Sequence, residues 1–225
     1  MIAIGMIIAT ILIFVGMTFV YRRFTYPLLL PILTTTIVLV VILSLSGVSY
    51  DTYMSGAKWI DGMLGPAVVG MAYPLYTQRE KIIKNKVPII LGVTVAMLSG
   101  LISIAILSKL MSFEDILQRS LLPKSITSPI AMPISESIGG IPALTAVFVI
   151  LAGLIGALTG SLLFKLCRID TAIGRGISVG SASHGIGLSK LAEYGEETMT
   201  MGSVAMTLSA ILGAFICPIF ALIIF

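Results

Sequence analysis

The hydrophobic positions of this chain run on without the alternation of a strand or the one-sided stripe of a soluble helix. Residues 1–21, 24–50, 87–108, 137–164 and 198–225 hold no Asp, Glu, Lys or Arg. Each run reaches the roughly 20 residues that carry a helix across a bilayer, whereas membrane barrels give alternating segments of about ten. The pattern predicts an all-α integral membrane protein, a helical bundle. Residues 1–6 lack a basic residue, and no small-residue cleavage site leads into a polar mature sequence. The first run is therefore expected to stay in place as a spanning helix and not to act as a signal peptide.

Three further segments are apolar but interrupted. Residues 58–76 and 171–190 are broken by Gly, Pro or Ser, and 121–142 is dense in Pro, Gly, Ser and Thr. Irregular backbone at membrane depth survives only where protein or a water-filled cavity satisfies its polar groups, so these segments predict a polar interior built from broken or re-entrant helices. Arg22 and Arg23, the group Arg79, Lys81, Lys84 and Lys86, and Lys165 with Arg168 mark the basic connections. The connections holding Asp51, Glu114 with Asp115, and Glu193 with Glu196 and Glu197 are neutral or acidic. With basic connections cytoplasmic, seven crossings and one re-entrant segment at 121–142 are expected, N-terminus outside and C-terminus in the cytoplasm. The chain reads as one membrane domain, 1–225. Within it 24–108 and 137–225, joined by 109–136, repeat the order helix, interrupted segment, helix from opposite faces, displaced by about 114 positions as from Gly62 to Gly176. Inverted repeats with matched broken segments point to a transporter whose site lies near the midplane.

Composition agrees and narrows the class. The chain is 57% hydrophobic and 11% charged, with mean hydropathy +1.10, where a soluble domain carries about 25% charged residues. A soluble globular protein, a disordered chain and a collagen-like or disulfide-rich scaffold are excluded. The net charge of +4 reflects orientation in the bilayer and not a nucleic-acid partner.

A charged side chain at the bilayer centre costs at least about 2.5–3.5 kcal/mol, so the charges inside the interrupted segments carry the candidate chemistry. Lys124 sits among Pro123, Pro129 and Pro133, which break a continuous helix, and among the hydroxyls of Ser125, Thr127 and Ser128. An ammonium and free amides at a helix N-terminus form a cradle for a small carboxylate; the plainer reading is a snorkelling lysine beside a proline-shaped loop. A hairpin could return Glu136 to Lys124, either as a neutralising partner or as a protonatable coupling or gating group. His184 lies between glycines, with Ser183 before it and Gly185 after it. It either binds a carboxylate or passes a proton, or it is a packed histidine. Lys58 and Asp61 are expected to pair on one helix face. Residues 112–122 are expected to form an interfacial amphipathic helix. Gly156 and Gly160 fit close helix packing. One histidine, with Cys167 and Cys217 fifty positions apart, gives no metal-ligand spacing, and no phosphate-binding Gly-x-x-x-x-Gly-Lys motif is present. No cofactor, metal or enzymatic activity is expected.

The motifs at 64–76 (LGPAVVGMAYPLY), 121–136 (LLPKSITSPIAMPISE), 139–150 (GGIPALTAVFVI) and 182–187 (ASHGIG) resemble the LrgB/CidB family across essentially the whole chain. Bacterial members are described as antiholin-like or holin-like proteins that modulate murein hydrolase export, autolysis and cell death. Each is paired with a small LrgA/CidA-type membrane protein. Plastid relatives exchange glycolate and glycerate, and some bacterial pairs import pyruvate. The resemblance implies a protein of the bacterial cell membrane that works with such a partner in the lipid bilayer, and a homo-oligomer. Members usually carry an acidic residue where Pro133 stands here, so no coupling carboxylate is expected at that position. Two functions are implied. One is a secondary carrier of small monocarboxylates, with Lys124, Ser125, Thr127 and Ser128 on the carboxylate and Ser183, His184 and Gly185 facing them. The other is an oligomeric pore that regulates cell-wall hydrolases.

Overall fold

The computed structural model describes residues 2–24, 26, 29–70 and 72–225, and among them every regular element is helical. The chain forms two compact units, residues 1–67 and 68–225. In the first, α1 (Ile2–Phe24) packs with α2 (Pro31–Leu45) and α3 (Tyr50–Asp61). Gly56 of α3 sits directly on the backbone of Ala3, leaving no room for a Cβ. The hydroxyls of Thr10 and Tyr53 meet at 3.2 Å. The charge-free run 24–50 yields a helix of only 15 residues, about 22 Å long at 1.5 Å per residue, because Pro31 starts it and Ser46-Gly47 ends it with Gly47 at φ 65°. Lys58 and Asp61 are exposed and form no ion pair, contrary to the expected pairing; exposed pairs of this kind hold together by well under 1 kcal/mol.

α4 (Leu64–Gly70) carries the chain into the second unit, where α5 (Ala72–Thr77) and α6 (Arg79–Lys84) precede α7 (Lys86–Leu110). The described residues of 58–76 thus fall in the end of α3, a turn at 62–63, α4 and α5. Tyr73 and Tyr76 are exposed, and the Arg79 guanidinium stacks 4.6 Å from the Tyr76 ring. Then follow α8 (Asp115–Leu121), a 3-10 turn at Leu122–Ser125, α9 (Ser128–Ser137), α10 (Pro142–Leu166), α11 (Ala172–Leu191) and, after a second 3-10 turn at Ala192–Tyr194, α12 (Glu196–Ile224). Among the described residues four helices, α1, α7, α10 and α12, are long and apolar enough to cross a membrane.

Two segments between these spans turn back on themselves. In the first, α8 and α9 form the arms of a hairpin. Arg119 Nη1 donates to the Ile138 carbonyl at 2.8 Å, the Ile141 amide donates to Ser120 Oγ at 2.8 Å, and Thr145 Oγ1 donates to the Ser120 carbonyl at 2.8 Å. Gly139, at φ 81°, makes the turn out of the second arm. Segment 121–142 therefore enters and leaves at the N-terminal end of α10, as expected. α8 belongs to this hairpin: Gln118 and Ser120 are buried in it, Leu121 packs on the core, and Ile116 is exposed.

The second fold-back corrects the sequence reading. Residues 171–190 were expected to cross, but α11 is interrupted at His184, with φ 38° and ψ −138°. Its halves double back: the Arg175 guanidinium lies 4.9 Å from the Tyr194 ring, whereas a straight helix would hold these positions about 28 Å apart. Val179 and Leu191 share one buried cluster with Phe164, and a Cβ on Gly187 would stand 2.6 Å from Val179 Cγ1. This neck opens at the C-terminal end of α10, where the Phe164 and Tyr194 rings meet edge to face at 5.3 Å. α12 then runs antiparallel to α10 and ends with the Phe225 ring 4.9 Å from Arg119. The C-terminus therefore lies at the neck of the first hairpin, on the face opposite Lys165 and Arg168.

Small residues let these elements meet. Gly156 of α10 receives the side chain of Ser183, Gly160 faces Val179, and Gly176 and Gly180 lie against Met201, Gly202 and Ala205 of α12. A Cβ on Gly180 would run into the Gly202 carbonyl oxygen and stand 3.0 Å from Ala205 Cβ. Gly180→Ala is therefore expected to cost about 1–3 kcal/mol, read as a lower midpoint of thermal unfolding in detergent. Gly5→Ala, where a Cβ meets nothing within 4 Å, should not lower it.

Candidate functional site at the hairpin tips

The necks of both hairpins are saturated with internal bonds. Besides the bonds above, Thr145 and Ser135 hydroxyls meet at 2.6 Å, Gln118 donates to the Phe113 carbonyl at 2.7 Å, and Ser108 donates to Gln118 Oε1 at 3.0 Å. In the second neck Arg175 Nε donates to the Ile169 carbonyl at 2.8 Å, with Asp170 3.5 Å from its guanidinium. The tips differ. A buried polar group without a partner costs about 1–3 kcal/mol, and here several remain open.

Lys124 occupies the 3-10 turn at the first tip, which packs against α7, α10, α11 and α12. Pro123, at φ −84° and ψ 15°, breaks the helix, and Pro129 opens α9. The half-buried Lys124 ammonium has one hydrogen bond, to Ser125 Oγ at 3.4 Å. No carboxylate of the described residues lies within ion-pair distance of it. Thr127 is the N-cap of α9, yet its side chain makes no capping bond, and the hydroxyls of Thr127 and Ser128 are unbonded among the described residues. The first turn of α9 thus opens, three residues after Lys124, on hydroxyls without partners among the described residues.

His184 forms the second tip. It is 3% exposed, its ring lies within interaction range of the backbone of Lys124 and Val149 and of the Lys124 ammonium, and its Cε1 would stand 3.0 Å from a Cβ on Gly153. Nε2 has no hydrogen-bond partner among the described residues, and neither do Ser181 Oγ or Ser209 Oγ. Val149 and Gly153 lie midway along α10, so the two tips meet near the middle of the span. Ser183, 1% exposed, borders a cavity of about 200 Å³ that extends past Gly156 and Gly160 to Phe164 and Cys167. A second, far smaller cavity of about 10 Å³ touches Ser125, close to the room one water requires.

The structure places Lys124, Ser125, Thr127 and Ser128 at the first tip and Ser183 and His184 at the second, with the His184 ring in range of Lys124. Gly185 adjoins them, but a Cβ there meets open space; the left-handed backbone falls on His184 instead. Glu136 does not return to Lys124. α9 is a continuous helix despite Pro133, and eight residues of rise carry the exposed Glu136 about 12 Å from Ser128. Ser181 and Ser209 were not singled out from sequence. Ser181 shares the serine-rich run before His184, while Ser209 stands alone in an apolar helix, without a local signal.

The LrgB-like family model matches residues 10–223. The chain is 48% identical to the uncharacterized protein YxaC of Bacillus subtilis, over 97% of this chain and 95% of that protein. It is 42% identical to the uncharacterized protein YwbG of the same organism, over 93% of each. It is 32% identical to the holin-like protein CidB of Staphylococcus epidermidis, over 98% of this chain and 96% of that one. No solved structure matches the chain.

The backbone of His184 is one that glycine adopts far more readily than any other residue. His184→Gly and His184→Ala both remove the ring, so comparing them isolates the backbone. His184→Gly is expected to be the more stable by about 1 kcal/mol, measured by thermal unfolding, reversing the usual order inside helices, where glycine is the worse by a similar amount.

Proposed function

Because the chain belongs to the LrgB-like family and holds a half-buried cation where two hairpin tips meet, we propose that this membrane protein is a secondary transporter of small monocarboxylates. The observation that carries this reading is Lys124, a half-buried ammonium with no carboxylate partner among the described residues, within interaction range of His184, whose Nε2 is open. An anion with hydrogen-bond acceptors completes such a site. Lys124 supplies the charge and Ser125, Thr127 and Ser128 donate hydrogen bonds, strengthened by the amides at the start of α9. Ser183 and His184 close the site from the second hairpin. A single lysine suits a single carboxylate, so glycolate, glycerate, pyruvate and lactate are the substrate class and dicarboxylates are disfavoured. Glu136 has no part in this reading because α9 carries it away from the tips.

The work is done in the bacterial cell membrane with a small LrgA/CidA-type membrane protein as partner. With the second hairpin re-entrant, the basic residues at 79–86 and 165–168 put the second hairpin's neck in the cytoplasm under the positive-inside rule. The first neck and the C-terminus then face outward, reversing the orientation expected for the C-terminus.

A second reading is supported by the name of the CidB relative. In it the protein is holin-like, forms oligomeric pores and affects murein hydrolases and autolysis through them. The two readings separate by selectivity. In proteoliposomes a carrier gives saturable counterflow of labelled pyruvate or glycolate, and Lys124→Gln lowers uptake at least tenfold; uptake unchanged by that substitution would sink the carrier reading. Size-graded leakage of trapped dye without counterflow is the result expected of a pore.

A further inference from the structure

The two hairpins share more than their shape. Arg119 and Arg175 stand 56 positions apart, and each leans from a first arm over an aromatic ring, Arg119 on Phe225 at 4.9 Å and Arg175 on Tyr194 at 4.9 Å. Gly139 and Gly195, also 56 apart, end the two second arms, both with positive φ, 81° and 99°. The tips pack reciprocally. Ser183 of the second hairpin fills the space at Gly156 of α10, and Ile126 of the first fills the space at Gly213 of α12. Ile126 and Ser183 are 57 positions apart, as are Gly156 and Gly213. When i touches j and the counterpart of j touches the counterpart of i, the two units are related by a two-fold axis. Since α10 and α12 are antiparallel and the hairpins enter from opposite faces, that axis lies in the membrane plane, the arrangement of inverted repeats. It pairs 115–168 with 172–225, different segments from those that hydropathy pairs.

Past the tips, at 57, Thr127 corresponds to His184 and Ser128 to Gly185; before them, at the 56 positions that separate Arg119 from Arg175, Ser125 corresponds to Ser181, with Ala182 the one extra residue of the second hairpin. Ser181 is 3% exposed, and its Oγ is without a partner. A buried helical serine in a membrane ordinarily bonds back to a carbonyl of the preceding turn, as Ser178 on the same arm does with Arg175 at 3.1 Å. Ser181 does not, so its donor is held open. A carboxylate is itself two-fold symmetric, with two equivalent oxygens. Two serines related by a two-fold axis offer one donor to each.

We propose that 115–168 and 172–225 are inverted hairpin-and-helix repeats contributing matched halves of one carboxylate site, and that Ser181, the counterpart of Ser125, donates its hydroxyl to the bound carboxylate. The occupant rests on the carrier reading above; the site itself is open to a binding test. Pyruvate is the probe, used both for uptake into proteoliposomes and for thermal stabilisation of the purified protein in detergent. Ser181→Ala is expected to raise the half-saturating pyruvate concentration at least fivefold with the maximal rate within twofold, and to abolish stabilisation by pyruvate. Ser181→Thr, which keeps the hydroxyl, should return both to within twofold of the parent, and Ser178→Ala should leave both in place. Unchanged half-saturation and stabilisation in Ser181→Ala would overturn the assignment. If the parent is stabilised by pyruvate but carries none, and Ser181→Ala loses that stabilisation, the site stands and the carrier reading falls. If pyruvate neither stabilises nor crosses with the parent protein, the site falls as well.

Discussion

A backbone amide or carbonyl surrounded by hydrocarbon has no water to turn to, and leaving it open costs several kcal/mol. A helix that stops halfway across a membrane exposes such groups at the place where they are hardest to satisfy. This chain stops two helices halfway, at Ser125–Ser128 and at His184, and the rest of the second unit follows from protecting those ends. Three spans surround the tips. Glycines at 153 and 156 of α10 and at 213 of α12 let these helices close on them. The position of the tips also explains why α10 and α12 carry small residues midway and large aliphatic ones on their outer faces.

Necks and tips divide the polar residues by function. At the necks, Arg119, Ser120, Ser135, Thr145 and Arg175 use one another, backbone carbonyls and ring faces, so that burying them is compensated within the fold. At the tips, Lys124, Ser181 and His184 are left with unused capacity. Residues of similar type thus serve opposite ends within one hairpin. What distinguishes them is whether the fold has already supplied a partner, a property that neither residue identity nor burial reveals by itself.

The spans were legible because hydropathy is additive: runs of uncharged residues at 87–108, 137–164 and 198–225 became α7, α10 and α12 with small shifts at their ends. Direction was not legible. An apolar segment of twenty residues reads the same whether it crosses or folds back, and α11 was read as crossing. The fold-back depends on one residue, His184, taking a conformation that its own side chain disfavours, next to a glycine that does not take it. Two polar markers, Arg175 near the start and Tyr194 just past the end, belong together only once the chain has turned. The first hairpin was easier because Pro123 and Pro129 leave the backbone little choice. Its second arm was still misjudged at Glu136, since Pro133 inside α9 removes one hydrogen bond without ending the helix. The cluster of Lys124 with its hydroxyls and His184 was recognisable because charge is so scarce here that each remaining group stands out.

Lys124 also has an electrical aspect. Where two tips meet in the middle of a bilayer, the insulating barrier between the two aqueous phases is reduced to the thickness of the tips, and the membrane voltage falls mainly across that short distance. With its ammonium protonated and no counter-ion among the described residues, the empty site carries a positive charge in that field, whereas the proposed site holding one carboxylate is close to neutral. A voltage of 100 mV acts on a unit charge with about 2.3 kcal/mol. On the carrier reading proposed above, membrane potential therefore bears on the empty protein and hardly on the filled one, which makes the unloaded step of the cycle the one that the energy state of the cell controls.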